Sequence, residues 1–161
     1  MTRRFGIGLT FIVLALGLPG MAAAAPNAAD AQKIDACLAA AVEKEQSGVA
    51  CIGIIADPCI AAVKEKSSAA DDAKACAGRE LAVWNARLPT ALKESKAGGK
   101  EFAASVTASQ GAWSLALTKL CPVFDKLDPG ASLGGANYCR LQQTAMQVLV
   151  LERLAYAVNP H

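Results

Sequence analysis

The residues with the most chemistry in this 161-residue chain are six cysteines: Cys37, Cys51, Cys59, Cys76, Cys121 and Cys139. Their spacing excludes the reactive uses of thiols. Zinc sites favour CxxC-like pairs with histidines. Here no two cysteines stand closer than eight positions, and the sole histidine is the last residue, His161. Redox dithiol chemistry and c-type haem attachment both need CxxC, which is absent. Pairing into structural disulfides remains, and it needs an oxidising compartment.

The other polar residues give no catalytic constellation. Nucleophilic catalysis needs a hydroxyl or thiol beside an orienting base, and a terminal histidine is poorly placed to serve. Asp71-Asp72 has the composition of a carboxylate pair. Neighbours on a helix diverge, however, and acids in a first turn suit the helix dipole. Glu43-Lys44-Glu45 and Lys64-Glu65-Lys66 read as solvated faces. Gly98-Gly99 and Gly134-Gly135 lack the strand–loop–helix setting of a phosphate loop. The expectation is a protein that is not an enzyme and carries no metal or cofactor.

The first segment supplies the compartment. Arg3 and Arg4, an apolar run from Phe5 to Leu18, and Ala22-Ala23-Ala24 have the order of a secretory signal. The run is shorter than the roughly 20 residues that span a bilayer. A lipid anchor would need a cysteine at the cleavage point, and the first is Cys37. Cleavage after Ala24 divides the chain into a signal, 1–24, and one domain, 25–161, in the periplasm or secreted. The sequence holds 16 Lys and Arg against 14 Asp and Glu. Without Arg3 and Arg4 the two signs balance, so no electrostatic case exists for nucleic acid or a membrane surface.

Which elements hold the cysteines in place? Alanine is abundant and aromatics make up only 5% of residues, which favours helix over strand. A first helix is expected from an Asn27 or Asp30 cap, with Ile34, Cys37, Leu38, Ala41, Val42 and Glu45 at helical spacing. It should end at Ser47-Gly48. Cys51 to Cys59 reads as a short apolar segment with a turn at Asp57-Pro58, followed by a loop over 64–72 in which Ser68 or Asp71 is open as a helix start. A second helix is expected over about 72–96, with Leu81, Trp84, Leu88 and Leu92 inward and a kink or break before Pro89. A third carries Phe102, Val106, Gln110, Trp113, Leu117 and Leu120 and stops at Pro122. After a loop over 125–138, marked by Asp128-Pro129-Gly130, a last helix runs over about 138–157. Leu141, Ala145, Val148, Leu151 and Ala155 line its inner face. The fold class is all-α: a small disulfide-stapled bundle of four to five helices, with Trp84 and Trp113 at its centre.

Six cysteines allow 15 pairings. Cys121 closes one helix and Cys139 opens the next. If those helices are antiparallel neighbours, their ends meet and a disulfide fits. Cys51 and Cys59 suit a local ring, which leaves Cys37 with Cys76. Exchange of partners among the four N-terminal cysteines stays open.

Several motifs together resemble the lysozyme inhibitor LprI-like N-terminal domain family (DUF1311). They are Gln110-x-x-Trp113, Cys121 eight residues after that tryptophan, Gly134-Gly135, and Cys139 with Thr144 five residues on. Cys76-x-x-x-Glu80-x-x-x-Trp84 followed by Leu88 is similar to the family's second-helix pattern. Cys37, Cys51-Ile52-Gly53 and Cys59 resemble an extension in its proteobacterial members. Departures fall on polar positions: Ala116, Leu117 and Thr118 replace an aromatic-Arg-Asp run, Pro89 and Leu92 stand where Asn and Tyr are common, and Gln147 replaces an arginine.

The resemblance implies a secreted, helical, disulfide-linked binding protein that inhibits lysozyme or a related cell-wall hydrolase. The Cys121–Cys139 loop is then the expected contact. Asp125 and Asp128 would meet a cationic rim, and Lys126 or Ser132 would reach catalytic carboxylates. The alternative is a periplasmic structural or envelope-stress module that binds another protein through a helical face and has no lysozyme activity.

Overall fold

The computed structural model describes residues 26–127 and 133–159. These form five α-helices: α1 (Ala28–Glu43), α2 (Ala56–Val63), α3 (Ala69–Ser95), α4 (Lys100–Leu120) and α5 (Gly135–Val158). Short 3₁₀ turns at Gly48–Cys51, Lys96–Gly98 and Cys121–Lys126 join them, and no strand occurs among the described residues. The long helices α3 and α5 pack along each other, and α2 lies on α3. The all-α, disulfide-stapled bundle is therefore what the chain forms. The signal segment, Asp128, Ser132 and His161 lie outside the described residues.

The core follows from helical spacing. On α3, Ala73, Cys76, Ala77, Glu80, Val83, Trp84 and Ala91 are buried at three- and four-residue steps. They face Leu141, Ala145, Val148 and Leu151 of α5 and Ile34 of α1. Trp84 is fully buried. Trp113 is not at the centre beside it: the Trp113 side is only half-buried, and α4 fully buries Val106 alone. A smaller second cluster packs Leu117 and Phe124 around Cys121, Ala136 and Cys139.

Several boundaries differ from expectation for local reasons. Asn27 caps α1, accepting from the Ala29 amide at 2.9 Å. The helix ends at Glu43 because Gln46 N–H bonds Ala41 C=O and Glu45 N–H bonds Val42 C=O. This is a Schellman closure with Glu45, φ 53°, where glycine is usual. Val42 then faces solvent, 77% exposed. Asp57-Pro58 is not a separate turn. Both residues sit in the first turn of α2, where proline loses no hydrogen bond. Of the two helix starts offered within 64–72, Ser68 and Asp71, the chain uses Ser68, which precedes the first residue of α3, Ala69. Pro89 does not break α3, which continues to Ser95. Helix interiors charge roughly 3 kcal/mol for proline, and the packing of α3 on α5 offsets it. Likewise α5 starts at Gly135, shortening the loop expected to reach Tyr138.

Three disulfides staple the bundle: Cys37–Cys51, Cys59–Cys76 and Cys121–Cys139, with Cα separations of 5.8, 5.7 and 5.4 Å. The C-terminal pair is as expected. The Cys51–Cys59 ring and the Cys37–Cys76 staple are corrected. The 3₁₀ turn at Gly48–Cys51 returns Cys51 to α1. Helix α2 carries Cys59 onto α3, where Cys76 meets it.

Candidate functional site

Among the described residues the most connected polar group is the Glu80 carboxylate, which is fully buried. Helix α3 places it one turn after Cys76, and Cys76 is bonded to Cys59 of α2. That staple brings the N-terminal end of α2 over Glu80. The amides of Ile55 and Ala56 donate to Oε2 at 2.9 and 2.8 Å. Gly53 N–H and the Trp84 indole Nε1–H donate to Oε1 at 2.8 and 3.1 Å. A carboxylate has about four lone-pair sites, so these four donors leave none for a substrate proton or a metal ion. Gly53 has φ 92°, and a Cβ there would collide with the Asp57 carboxylate. The turn that aims these amides at Glu80 therefore requires glycine.

Asp57 is held in turn by Tyr138 of α5, whose hydroxyl donates to Asp57 Oδ1 at 2.7 Å. Burial, and then this bond, push the Tyr138 phenol up to about 12. On the other side of α3, Arg79 grips Asp30 through Nε and Nη2, the second bond at 2.7 Å. Asp30 is 4% exposed. The bond from Arg79 holds its carboxyl below the usual range against the opposing effect of burial, and Asp30 raises Arg79.

Arg87 lies over the Trp84 ring, 5.9 Å from its centroid. Its guanidinium bridges Asp35 of α1 and, at 2.9 Å, Glu152 of α5. This bridge separates two clefts of about 400 and 410 Å³, one continuing along Val83, Ala86 and Ala91 and the other along Leu38, Ala41 and Leu149.

The Cys121–Cys139 end is built differently. Asp125 Oδ1 accepts from the Ala136 amide at 3.0 Å, capping α5, and lies 3.4 Å from Lys74 Nζ. The Ala136 amide is the main cause holding the Asp125 carboxyl below its ordinary value. Gly134 and Gly135 have φ 85° and 49°, and a Cβ on Gly135 would strike Asp125 Oδ1. The glycine pair thus serves the cap. Asp125, expected to face a partner, is occupied by the fold. Beside it Lys126, Leu120, Val123 and Leu127 are exposed, the three apolar residues at 49%, 48% and 48%.

The motif residues therefore divide by role. Glu80 and Trp84 are brought together. Gln110 meets Gln147 across α4 and α5 at 2.9 Å, and Thr144 is buried in α5. Asp128 and Ser132 lie outside the described residues. The family resemblance singled out Glu80 with two of its donors, Gly53 and Trp84, but not the Ile55 and Ala56 amides, and the sequence reading missed Asp30–Arg79 and the Arg87 bridge. An acid at the buried position of a helical stripe was the available signal. Among the described residues no helix is long and apolar enough to cross a membrane, and no group of three or more potential metal ligands occurs. Comparison with protein-family models, curated proteins and solved structures finds no match to this chain.

Proposed function

We propose that the chain is an exported binding protein whose contact surface is its Cys121–Cys139 end. Its partner class is lysozyme or a related cell-wall hydrolase. The observation that carries the reading is the exposed row Leu120, Val123 and Leu127, spaced three and four apart beside fully buried Cys121. A disulfide and a helix cap fix the base of that row. Pre-organised apolar contacts lose little conformational freedom on binding, and Lys126 beside them offers a cation for a carboxylate-lined cleft. The resemblance to the LprI-like family supports the same partner class. The engaged carboxylates support binding over catalysis, since Glu80, Asp30, Asp57 and Asp125 each hold a structural partner. In the test, micromolar oxidised protein slows the clearing of a peptidoglycan suspension by at least one lysozyme type. Unchanged clearing across a panel of lysozymes removes the reading.

A second surface supports the interaction-module reading. A groove of about 220 Å³ runs between α4 and α5, lined by Phe102, Val106, Val150, Leu151 and Leu154. Exposed Met146 and Val150 lie along the same helix. If this is the docking face, Val150→Lys abolishes capture of an envelope partner while Val123→Lys leaves it intact.

A further inference from the structure

The three disulfides join each cysteine to the next in the chain: first to second, third to fourth, fifth to sixth. None of the three closed segments overlaps another. We infer, resting on the export reading, that pairing is set by the order in which the cysteines reach the oxidising side. The maturing reaction is then plain thiol oxidation by a disulfide-carrying exchange protein, with no isomerisation.

Closure entropy argues against random pairing as the source of this pattern. The loops that form have sequence separations of 14 and 17. The competing Cys51–Cys59 ring has a separation of only eight. By loop closure alone the ring is favoured about two- to threefold. Order of arrival removes that advantage. When Cys51 emerges, Cys37 is already out and Cys59 is still eight residues behind. For a chain exported as it is synthesised, at roughly 5–20 residues per second, that is a lead of about half a second to a second and a half. Once Cys37–Cys51 has formed, Cys59 has no partner until Cys76, and Cys121 none until Cys139. At no step does an arriving cysteine meet more than one free thiol.

Burial then locks the outcome. Cys51 and Cys121 are 0% exposed, Cys76 4% and Cys139 5%. Exchange needs a thiolate to reach a sulfur; Cys37 and Cys59 are only partly buried, so the fold shields both cysteines of the C-terminal pair and one cysteine of each N-terminal pair. The two N-terminal disulfides also flank the turn that supplies the Gly53, Ile55 and Ala56 donors to Glu80.

The chemistry balances without a further reactant. One cysteine thiolate attacks the exchange protein's disulfide, forming a mixed disulfide and expelling one thiolate of the exchange protein. The partner cysteine's thiolate then attacks the chain's sulfur in that mixed disulfide and expels the second. The chain's two thiols are oxidised by two electrons, and the carrier's disulfide is reduced to two thiols.

The test expresses the full chain in cells with and without their disulfide isomerase. Thiols are trapped by acid and alkylation, and pairs are mapped by mass spectrometry. The expected result is the same yield of the three pairs in both strains. In Cys37→Ser, Cys51 should pair mainly with Cys59, Cys76 should then pair with Cys121 as it arrives, and Cys139 should be left free. In Cys59→Ser, Cys37–Cys51 should be unchanged. A several-fold loss of the three pairs without isomerase overturns the inference. So does Cys37→Ser protein that still forms mainly Cys59–Cys76, because the fold rather than the order would then choose partners. Six alkylated thiols with residues 1–24 retained instead identify failure of the export reading, and the inference falls with it.

Discussion

Glu80 and Trp84 stand one turn apart on α3, and the Trp84 indole donates to the Glu80 carboxylate at 3.1 Å inside the core. Both side chains are fully buried. The contact joins the largest fully buried side chain to the most connected polar one among the described residues. The remaining donors come from the chain entering α2, so this pair fixes how the N-terminal third sits on α3.

Glu80→Ala should therefore be among the most destabilising single changes. It strands four buried N–H donors, and an unsatisfied buried donor costs about 1–3 kcal/mol. Urea unfolding should show a loss of roughly 3 kcal/mol or more. Glu80→Gln, which keeps one acceptor oxygen, should lose less. A change within about 0.5 kcal/mol, typical of surface sites, would contradict the assigned network.

Removing the C-terminal staple tests a different part of the molecule. Cys121→Ser with Cys139→Ser opens a loop of sequence separation 18. Loop-closure entropy predicts a loss of about 3 kcal/mol. The main core, which does not contain these cysteines, should persist, so helical circular dichroism at room temperature should change little. Complete unfolding of the oxidised remainder would show that the small Cys121 cluster is not separable.

The helix cap at Asp125 predicts a modest effect. Asp125→Ala should cost about 1 kcal/mol in thermal unfolding. Gly135→Ala should cost as much or more, because its Cβ would meet the Asp125 carboxylate. Equal stability of both variants with the parent would remove the cap.

Stability should fall at both ends of the pH scale. Asp30 is held below its unfolded value of about 3.9 by Arg79. Its contribution is complete above that value and is lost as pH drops through the folded value. Asp30→Asn should flatten this acid limb. Tyr138 is raised to about 12. Its contribution is complete below the unfolded value near 10 and is lost as pH rises through about 12. Phenolate absorbance should show one tyrosine resisting ionisation until near unfolding, and Asp57→Asn should lower its midpoint. A Tyr138 midpoint near 10 would contradict the Tyr138–Asp57 bond.

Much of the fold was legible because helical spacing reports burial directly. Ile34, Trp84, Val106, Leu141, Val148 and Leu151 all lie where a 3.6-residue period puts them. Cys121–Cys139 was legible because two helix ends must meet. The N-terminal pairs were not, because sequence distance favoured a Cys51–Cys59 ring. Reading Pro58 as a turn hid the short helix that points Cys59 at α3. The break expected before Pro89 does not occur, since tertiary packing overrides local propensity. Trp113 carries the same helical signal as Trp84, yet α3 packs against α5 and α2 whereas α4 packs mainly against the 3₁₀ turns at its own ends. The chemical environment of Glu80 depends on backbone amides more than 20 residues away. No local pattern encodes that.

The functional proposal is tested most directly by comparing the parent protein with a Leu120→Lys, Val123→Lys variant in the lysozyme clearing assay. Both side chains are about half exposed, so the variant should fold and melt like the parent. The account predicts that the parent slows clearing at micromolar concentration and that the variant loses at least tenfold in potency, equivalent to about 1.4 kcal/mol of binding. A parent that leaves every lysozyme unaffected, or a variant that inhibits as well as the parent, would contradict it.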